Sequence, residues 1–260
     1  MTGRTRGSRR DRLITLAVVA LVLAAAVVGI RLLTQPASGG SADGPPVLAG
    51  QQLWGSCAGG FYARRGDAIV VTSSGHCATE GTVAYDSDGA TVRGVFGPPA
   101  LDPDCSVRDH RCFASDMNYL AVAEDQIPWG RLNTIDLGSG GIRVIPVGAD
   151  PLACEDIEAG DDVEMNGRDM HREGTVAEKG EYLRDGDGDY FPCMIAARIQ
   201  VEVGDSGAGV LVDGIPGGVA SRSFDGWLGF TPLAEGLAQL GLELCTTANC
   251  DLVPPGALHD

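Results

Sequence analysis

The 260-residue chain predicts an all-β body with one late helix, preceded by a transmembrane helix near the N terminus. Short apolar segments separated by turn residues recur from residue 47 onward, in a composition with 38 glycines and 14 prolines. Strands at such short intervals favour a sandwich or a pair of barrels over alternating βαβ units. Only Leu233 to Leu240 has helical spacing, and one apolar run near the start is long enough to span a bilayer.

The apolar run extends from Leu13 to Ile30, after five arginines and before Arg31. A run of this length is just sufficient to cross a bilayer, and the arginines before it place its start in the cytoplasm. We therefore expect an uncleaved signal anchor, with the rest of the chain outside the cytoplasm at the cell membrane. A cleaved signal peptide is the alternative, and the body would then be secreted.

Composition divides the chain into segments. We expect a cytoplasmic basic segment at 1–12 and a transmembrane anchor at 13–33. A tether rich in Gly, Ser, Ala and Pro follows at 34–46. The folded domain is expected at 47–244 and a C-terminal tail at 245–260.

Charge is distributed unevenly along the chain, whose formal net charge is −16. Residues 1–33 hold six arginines and one aspartate, which leaves 13 basic and 34 acidic side chains in the remainder. A body this acidic repels phosphates, so we expect no nucleic-acid partner.

Strands and turns can be placed from apolar runs and turn residues. The predicted strands lie at 68–72, 82–85, 91–96, 119–123, 142–147, 162–165, 174–177, 195–203 and 210–212. Asp86-Ser87-Asp88-Gly89 predicts a hairpin turn between the second and third strands, and Asn166-Gly167 a turn between the sixth and seventh.

The stretch from Gly204 to Gly209, Gly-Asp-Ser-Gly-Ala-Gly, is typical of a nucleophile on a tight turn. Glycines permit strained dihedrals and let a substrate approach the main chain, and the N–H groups of Gly204 and Ser206 can point at one developing oxyanion. A plain β-turn has the same composition and is the alternative for this stretch alone.

Two further motifs favour the catalytic interpretation. His76 follows a predicted strand in Thr-Ser-Ser-Gly-His-Cys, and Asp116 precedes another in Ser-Asp-Met-Asn-Tyr-Leu-Ala-Val. The order His, Asp, Ser is the order of one group of serine proteases. At these residues the chain resembles the trypsin/chymotrypsin-like serine proteases, and more closely their bacterial, streptogrisin-like branch.

The resemblance implies two six-stranded antiparallel β-barrels with the active site between them. It implies that His76 is the general base, that Asp116 orients it, and that Ser206 is the nucleophile of an endopeptidase acting on proteins or peptides without a cofactor. Asp205 is expected to be structural, buried beside a cation that the sequence does not identify. We expect a monomer.

Several residues depart from the family pattern. We expect Gln200, Ser221, Arg222 and Ser223 to bind substrate, but Arg222 and Ser223 replace the usual aromatic residue and glycine. A catalytically silent binding or adhesion domain on the same fold is therefore the alternative function. An esterase of another fold is disfavoured because its order, Ser, Asp, His, would need a histidine after Ser206, and only His259 in the tail follows.

All eight cysteines lie beyond the apolar run, which favours disulfides in an exported domain. Cys57–Cys77 resembles the bridge beside the family's catalytic histidine. Nearness favours Cys105–Cys112 and Cys245–Cys250, which leaves Cys154–Cys193. The hairpin that carries a cysteine pair in relatives has Glu164 and Glu173 instead.

We expect no metal, since no C-x-x-C pair occurs. Asp185-Gly186-Asp187-Gly188-Asp189 is similar to a calcium loop, but Tyr190 and Ala196 stand where glycine and glutamate are needed, so a solvated acidic loop is favoured. His110, His171 and His259 are also expected to be solvated.

Overall fold

The structure is a computed structural model that describes residues 49–54, 57–85, 89–104, 107, 110–167, 170–184 and 188–250. The predicted basic segment, anchor and tether, and the tail beyond residue 250, lie outside the described residues. Within the described ranges, no helix has the length and apolar character needed to cross a membrane.

The described part of the chain contains seventeen strands, one α-helix and four 3₁₀ helices. The strands and the α-helix are β1 (Gln52–Trp54), β2 (Cys57–Ala58), β3 (Tyr62–Arg65), β4 (Ala68–Ser73), β5 (Val83–Tyr85), β6 (Val92–Phe96), β7 (Arg111–Cys112), β8 (Asn118–Val122), β9 (Thr134–Asp136), β10 (Ile142–Val144), β11 (Asp162–Gly167), β12 (Met170–Arg184), β13 (Asp189–Gln200), β14 (Gly209–Val212), β15 (Ile215–Phe224), β16 (Trp227–Pro232), α1 (Leu233–Leu240) and β17 (Glu243–Leu244). The fold is mostly β, as the sequence predicts.

The first large sheet contains six strands in the order β17-β3-β4-β8-β6-β5, all antiparallel. Its central strands β4 and β8 pair so that Ser73 lies opposite Asn118. The chain leaves β4 towards His76 and enters β8 from Asp116, so this register brings both residues to one edge of the sheet.

The second large sheet has the order β12-β11-β14-β15-β16-β13-β7. An additional pairing of β12 with β13 closes six of its strands into a ring, and β7 joins β13 in parallel outside that ring. No comparable pairing joins β17 to β5 among the described strands of the first sheet. The loop between β13 and β14 carries Ser206.

A shared core joins the two sheets. Ala63 and Val70 of the first sheet pack in one buried cluster with Leu211 and Val219 of the second. The same cluster includes Leu233, Leu237 and Leu240 of α1. Their spacing of four and three residues is that of one helix face, and Gly241, in the left-handed conformation, ends the helix. The predicted helix is confirmed with the same bounds.

The hairpin of β11 and β12 differs from the sequence expectation. Asn166 and Gly167 belong to β11, and Gly167 pairs with Met170, so the turn follows the Asn-Gly pair. β12 extends over 15 residues where only 174–177 was expected. β12 packs on one side only, so its other face carries exposed charged residues such as Glu178 and Glu181. These residues interrupt the apolar run by which a strand is recognised in the sequence.

Candidate active site

A hydrogen-bonded chain of three side chains connects the two sheets. His76 Nδ1 lies 2.7 Å from Asp116 Oδ2, and His76 Nε2 lies 3.0 Å from Ser206 Oγ. A neutral imidazole that donates from Nδ1 to the carboxylate presents an acceptor lone pair to the serine hydroxyl. The three residues singled out in the sequence therefore lie together in the order needed to activate a hydroxyl.

Two buried serines fix the loop that carries His76. Ser73 Oγ donates to the carbonyl of Ala58 at 2.9 Å, and Ser74 Oγ donates to the carbonyl of Ala220 at 2.6 Å. The second bond spans the two sheets, so the histidine loop is attached to the strand that borders the cleft. Both serine hydroxyls of the histidine motif thus have buried acceptors.

Asp116 is 4% exposed, and both of its carboxylate oxygens accept hydrogen bonds. Oδ1 accepts the backbone N–H of His76 at 3.2 Å, and Oδ2 also accepts the hydroxyl of Ser221 at 2.5 Å. Burial raises the pKa of Asp116, but the hydrogen bonds from His76 and Ser221 and the positive charges of His76 and Arg222 outweigh it. The net effect holds the pKa of Asp116 below its ordinary value, so the carboxylate is ionised at neutral pH.

The turn at Ser206 depends on two glycines in positive φ. Gly204 has φ +112° and Gly207 has φ +92°. A Cβ on Gly207 would lie 2.2 Å from the carbonyl oxygen of Ala58, which is closer than any side chain tolerates. In the described structure the N–H groups of Gly204 and Ser206 donate no hydrogen bond, so both are available to an oxyanion.

Arg172 is the cation beside Asp205, which the sequence did not identify. Its Nη1 donates to Asp205 Oδ2 at 2.6 Å, and the same oxygen accepts the backbone N–H of Glu202 at 2.7 Å. Asp205 is 2% exposed. This ion pair holds the segment that precedes Ser206, and Arg172 reaches it from β12, the strand whose length the sequence pattern concealed.

A cavity of about 620 Å³ opens beside the Ser206 hydroxyl. Ser221, Arg222 and Ser223 line it, as expected of substrate-binding residues, although Ser221 directs its hydroxyl to Asp116. Gln200 is not among its lining residues, whereas Val201 and Glu202 are. Gln200 is instead exposed at the end of β13, opposite Trp227.

The structure contains the disulfides Cys57–Cys77, Cys154–Cys193 and Cys245–Cys250. Cys112 is also disulfide-bonded, but Cys105 lies outside the described residues. Cys57–Cys77 attaches the residue after His76 to β2, and the neighbouring Ala58 N–H donates to the carbonyl of Ser206 at 2.7 Å. This bridge therefore borders the nucleophile turn.

Two expectations for residues outside the triad are wrong. His171 is not solvated: its side chain is 12% exposed, and Nε2 lies 3.2 Å from Glu164 and 3.8 Å from Glu173. Arg143 also contacts Glu164 through two nitrogens, so a guanidinium pairs with one of the two opposed carboxylates. Asp189 is likewise 4% exposed and pairs with Arg111 at 2.7 Å, not with solvent.

His110 also has a buried ring nitrogen, Nδ1, without a hydrogen-bond partner. Residues 185–187 of the predicted acidic loop at 185–189, and His259, lie outside the described residues.

The chain has the fold of the bacterial chymotrypsin-like serine proteases, to whose solved structures it is similar. Thermobifida fusca Protease A is similar with a TM-score of 0.58 and 20% identity, over 77% of this chain and 99% of that one. Cellulomonas bogoriensis chymotrypsin is similar with a TM-score of 0.56 and 19% identity, over 78% of this chain and 100% of that one.

Nocardiopsis protease gives a TM-score of 0.57 and 18% identity, over 76% of this chain and 99% of that one. The amino-acid sequence matches no protein-family model and no curated protein. The resemblance inferred from the motifs is confirmed by structure at the level of fold.

Proposed function

We propose that this protein is a serine endopeptidase of the double-barrel type, which hydrolyses peptide bonds through an acyl-enzyme on Ser206. One observation carries the proposal. The contacts Asp116–His76 at 2.7 Å and His76–Ser206 at 3.0 Å end at a hydroxyl that faces an open cavity. A chain of acid, base and nucleophile in this geometry is what acyl transfer requires.

His76 Nε2 accepts the proton of Ser206 as Oγ attacks the carbonyl carbon of the substrate. The imidazolium then returns that proton to the departing amine, which leaves an ester on Ser206. Water attacks the ester by the same proton route, and the carboxylic acid and the free hydroxyl are restored. Asp116 stays ionised throughout and stabilises the imidazolium.

The N–H groups of Gly204 and Ser206 stabilise the oxyanion of each tetrahedral intermediate. Each donor of this type contributes on the order of 3 kcal/mol to the transition state. The Asp205–Arg172 pair keeps the turn in place, so the donors need no rearrangement when charge develops.

The proposed location is outside the cytoplasm, with the chain anchored in the membrane by residues 13–33. The arginines before the apolar run support this orientation. The disulfides support it independently, because such bonds persist in oxidising compartments. Cleavage after the apolar run would give a secreted form of the same enzyme.

A catalytically silent binding domain is the competing function, and Arg222 was the reason to consider it. The Arg222 guanidinium lies 4.2 Å from the centre of the Tyr182 ring, and the cavity beside Ser206 stays open. Arg222 therefore does not close the cleft, and this observation favours a serine endopeptidase over a silent binding domain.

The test is hydrolysis of a fluorescently labelled unfolded protein by the full-length chain in detergent. We expect turnover that Ser206→Ala lowers by about 10⁶-fold and Asp116→Asn by about 10⁴-fold. Ser139→Ala, at an exposed position away from the cavity, is the matched control and should be unchanged. Turnover that survives in Ser206→Ala would show that another residue carries the chemistry.

A further inference from the structure

We propose that Arg222 selects substrates carrying a carboxylate side chain close to the scissile bond, an inference that rests on the proposed peptidase function. Arg222 lies on β15 between Ser221, which contacts Asp116, and Ser223. All three residues line the cavity that contains the Ser206 hydroxyl. The guanidinium of Arg222 packs on Tyr182 and Phe191, which do not line that cavity. Its charge therefore lies at the edge of the cavity, where a substrate residue flanking the scissile bond can reach it.

Aromatic rings hold the Arg222 guanidinium in place. Its Cζ lies 4.2 Å from the centre of the Tyr182 ring and 5.5 Å from that of Phe191. Phe113 stacks on Phe191 at 5.3 Å and Phe224 packs edge-on against Tyr182 at 5.3 Å, so the rings support one another. The cation is fixed before substrate arrives, which lowers the entropy lost on binding.

Arg222 retains unused hydrogen-bond capacity. Ring faces attract the charge of a guanidinium but leave its in-plane N–H donors without acceptors. Its Nε is buried and has no hydrogen-bond partner. A buried donor without an acceptor costs free energy, so an incoming carboxylate gains by supplying one.

The other arginines near the site already have carboxylate partners. Arg111 pairs with Asp189 at 2.7 Å, and Arg172 with Asp205 at 2.6 Å. Within the described part of the chain, Arg222 forms no ion pair. Its charge helps to lower the pKa of Asp116, whose Oδ2 already accepts hydrogen bonds from His76 and Ser221. Arg222 is thus a cation held by aromatic rings at the edge of the cavity, without an ion-pair partner among the described residues.

Glu202 lines the same cavity and would favour the opposite charge. Its side chain is exposed, however, and makes no contact among the described residues. An exposed carboxylate is screened by water, whereas a half-buried, oriented guanidinium acts at shorter range and in a lower dielectric. The attraction of Arg222 for an acidic substrate side chain therefore outweighs the attraction of Glu202 for a basic one.

The test uses fluorogenic peptides in which one Glu moves through three positions before and two after the scissile bond, each with a Gln counterpart. At one position or more, the wild-type chain should hydrolyse the Glu peptide with a kcat/KM roughly 10- to 100-fold above its Gln counterpart. Arg222→Gln should bring this ratio to within about twofold, and Arg222→Lys should retain part of it. Arg198→Gln removes the same charge from an exposed position outside the cavity and should leave the ratio unchanged.

Glu202→Gln provides a second, opposite test, because removing the competing negative charge should raise the Glu-to-Gln ratio. A ratio near one at every position would overturn the inference, as would a ratio that persists in Arg222→Gln. A preference for Lys or Arg that disappears in Glu202→Gln would also overturn it.

Failure of the peptidase function itself is distinguishable. Binding of the same peptides to Ser206→Ala, measured by fluorescence anisotropy, needs no turnover. Tighter binding of the Glu peptide that depends on Arg222 supports the inference, and equal binding of Glu and Gln peptides contradicts it. Covalent labelling of Ser206 by a fluorophosphonate, measured in the same preparation, reports on the peptidase function alone.

Discussion

Ser221 donates its hydroxyl to Asp116 Oδ2 at 2.5 Å, across 105 residues of sequence. The bond joins the strand that borders the cleft to the carboxylate that orients His76. Since Ser221 is 2% exposed, the contact is protected from water. The same short segment, Ser221 to Ser223, therefore supports the proposed catalytic base and lines the cavity beside Ser206.

Ser221→Ala should lower the free energy of unfolding by about 1.5–3 kcal/mol at pH 7, because the lost bond is made to a charged group. The pKa of Asp116 is below its ordinary value, so its ionised contacts stabilise the fold above that value. This contribution is lost as the pH falls through the folded-state pKa.

The difference between wild type and Ser221→Ala should accordingly shrink at acid pH, measured by urea unfolding at pH 7 and at about pH 2. Ser139→Ala serves as the control at both values. A stability difference that does not vary with pH would mean that Ser221 acts by packing and not through the charge of Asp116.

Arg172→Gln should destabilise the protein by roughly 3–5 kcal/mol, because it leaves the buried carboxylate of Asp205 without its cation. The control is Arg143→Gln, which breaks an ion pair whose arginine is 43% exposed and should cost less than about 1 kcal/mol. Denaturant unfolding of the two variants gives the comparison. Equal losses would indicate that Asp205 does not depend on Arg172.

Gly207→Ala should abolish activity as well as reduce stability. Its Cβ would lie 2.2 Å from the carbonyl oxygen of Ala58, so the turn that carries Ser206 must shift. Gly214 also has positive φ, +76°, but open space around its Cβ position.

Gly214→Ala should therefore show only the backbone cost of about 1–2 kcal/mol and full activity. Thermal unfolding and peptide turnover of the pair separate the two effects. An active Gly207→Ala enzyme would mean that the turn tolerates displacement.

The triad could be predicted from sequence because each member sits in a short motif at the end of a strand. His76 follows β4 and Asp116 precedes β8, so the strand register alone places them at one edge. The helix at Leu233–Leu240 could be predicted for a similar reason, since its apolar spacing is local.

Other parts of the site depend on contacts that local patterns do not contain. Arg172 reaches Asp205 from β12, a long strand whose charged, exposed residues give it the composition of a loop. The sequence predicts Gln200 as a substrate-binding residue, whereas Val201 and Glu202 line the cavity. β13 ends at Gln200, and the residues that line the cavity begin just beyond that end, a boundary that the sequence pattern does not mark.

The central claim is that Asp116, His76 and Ser206 act as one catalytic unit. Fluorophosphonate labelling of the full-length protein, with the modified residue identified by mass spectrometry, tests it most directly. We expect a single adduct on Ser206 in the wild type, with labelling lost in Ser206→Ala and in His76→Ala. Absence of an adduct on the folded wild type, or equal labelling of the His76→Ala variant, would contradict the account.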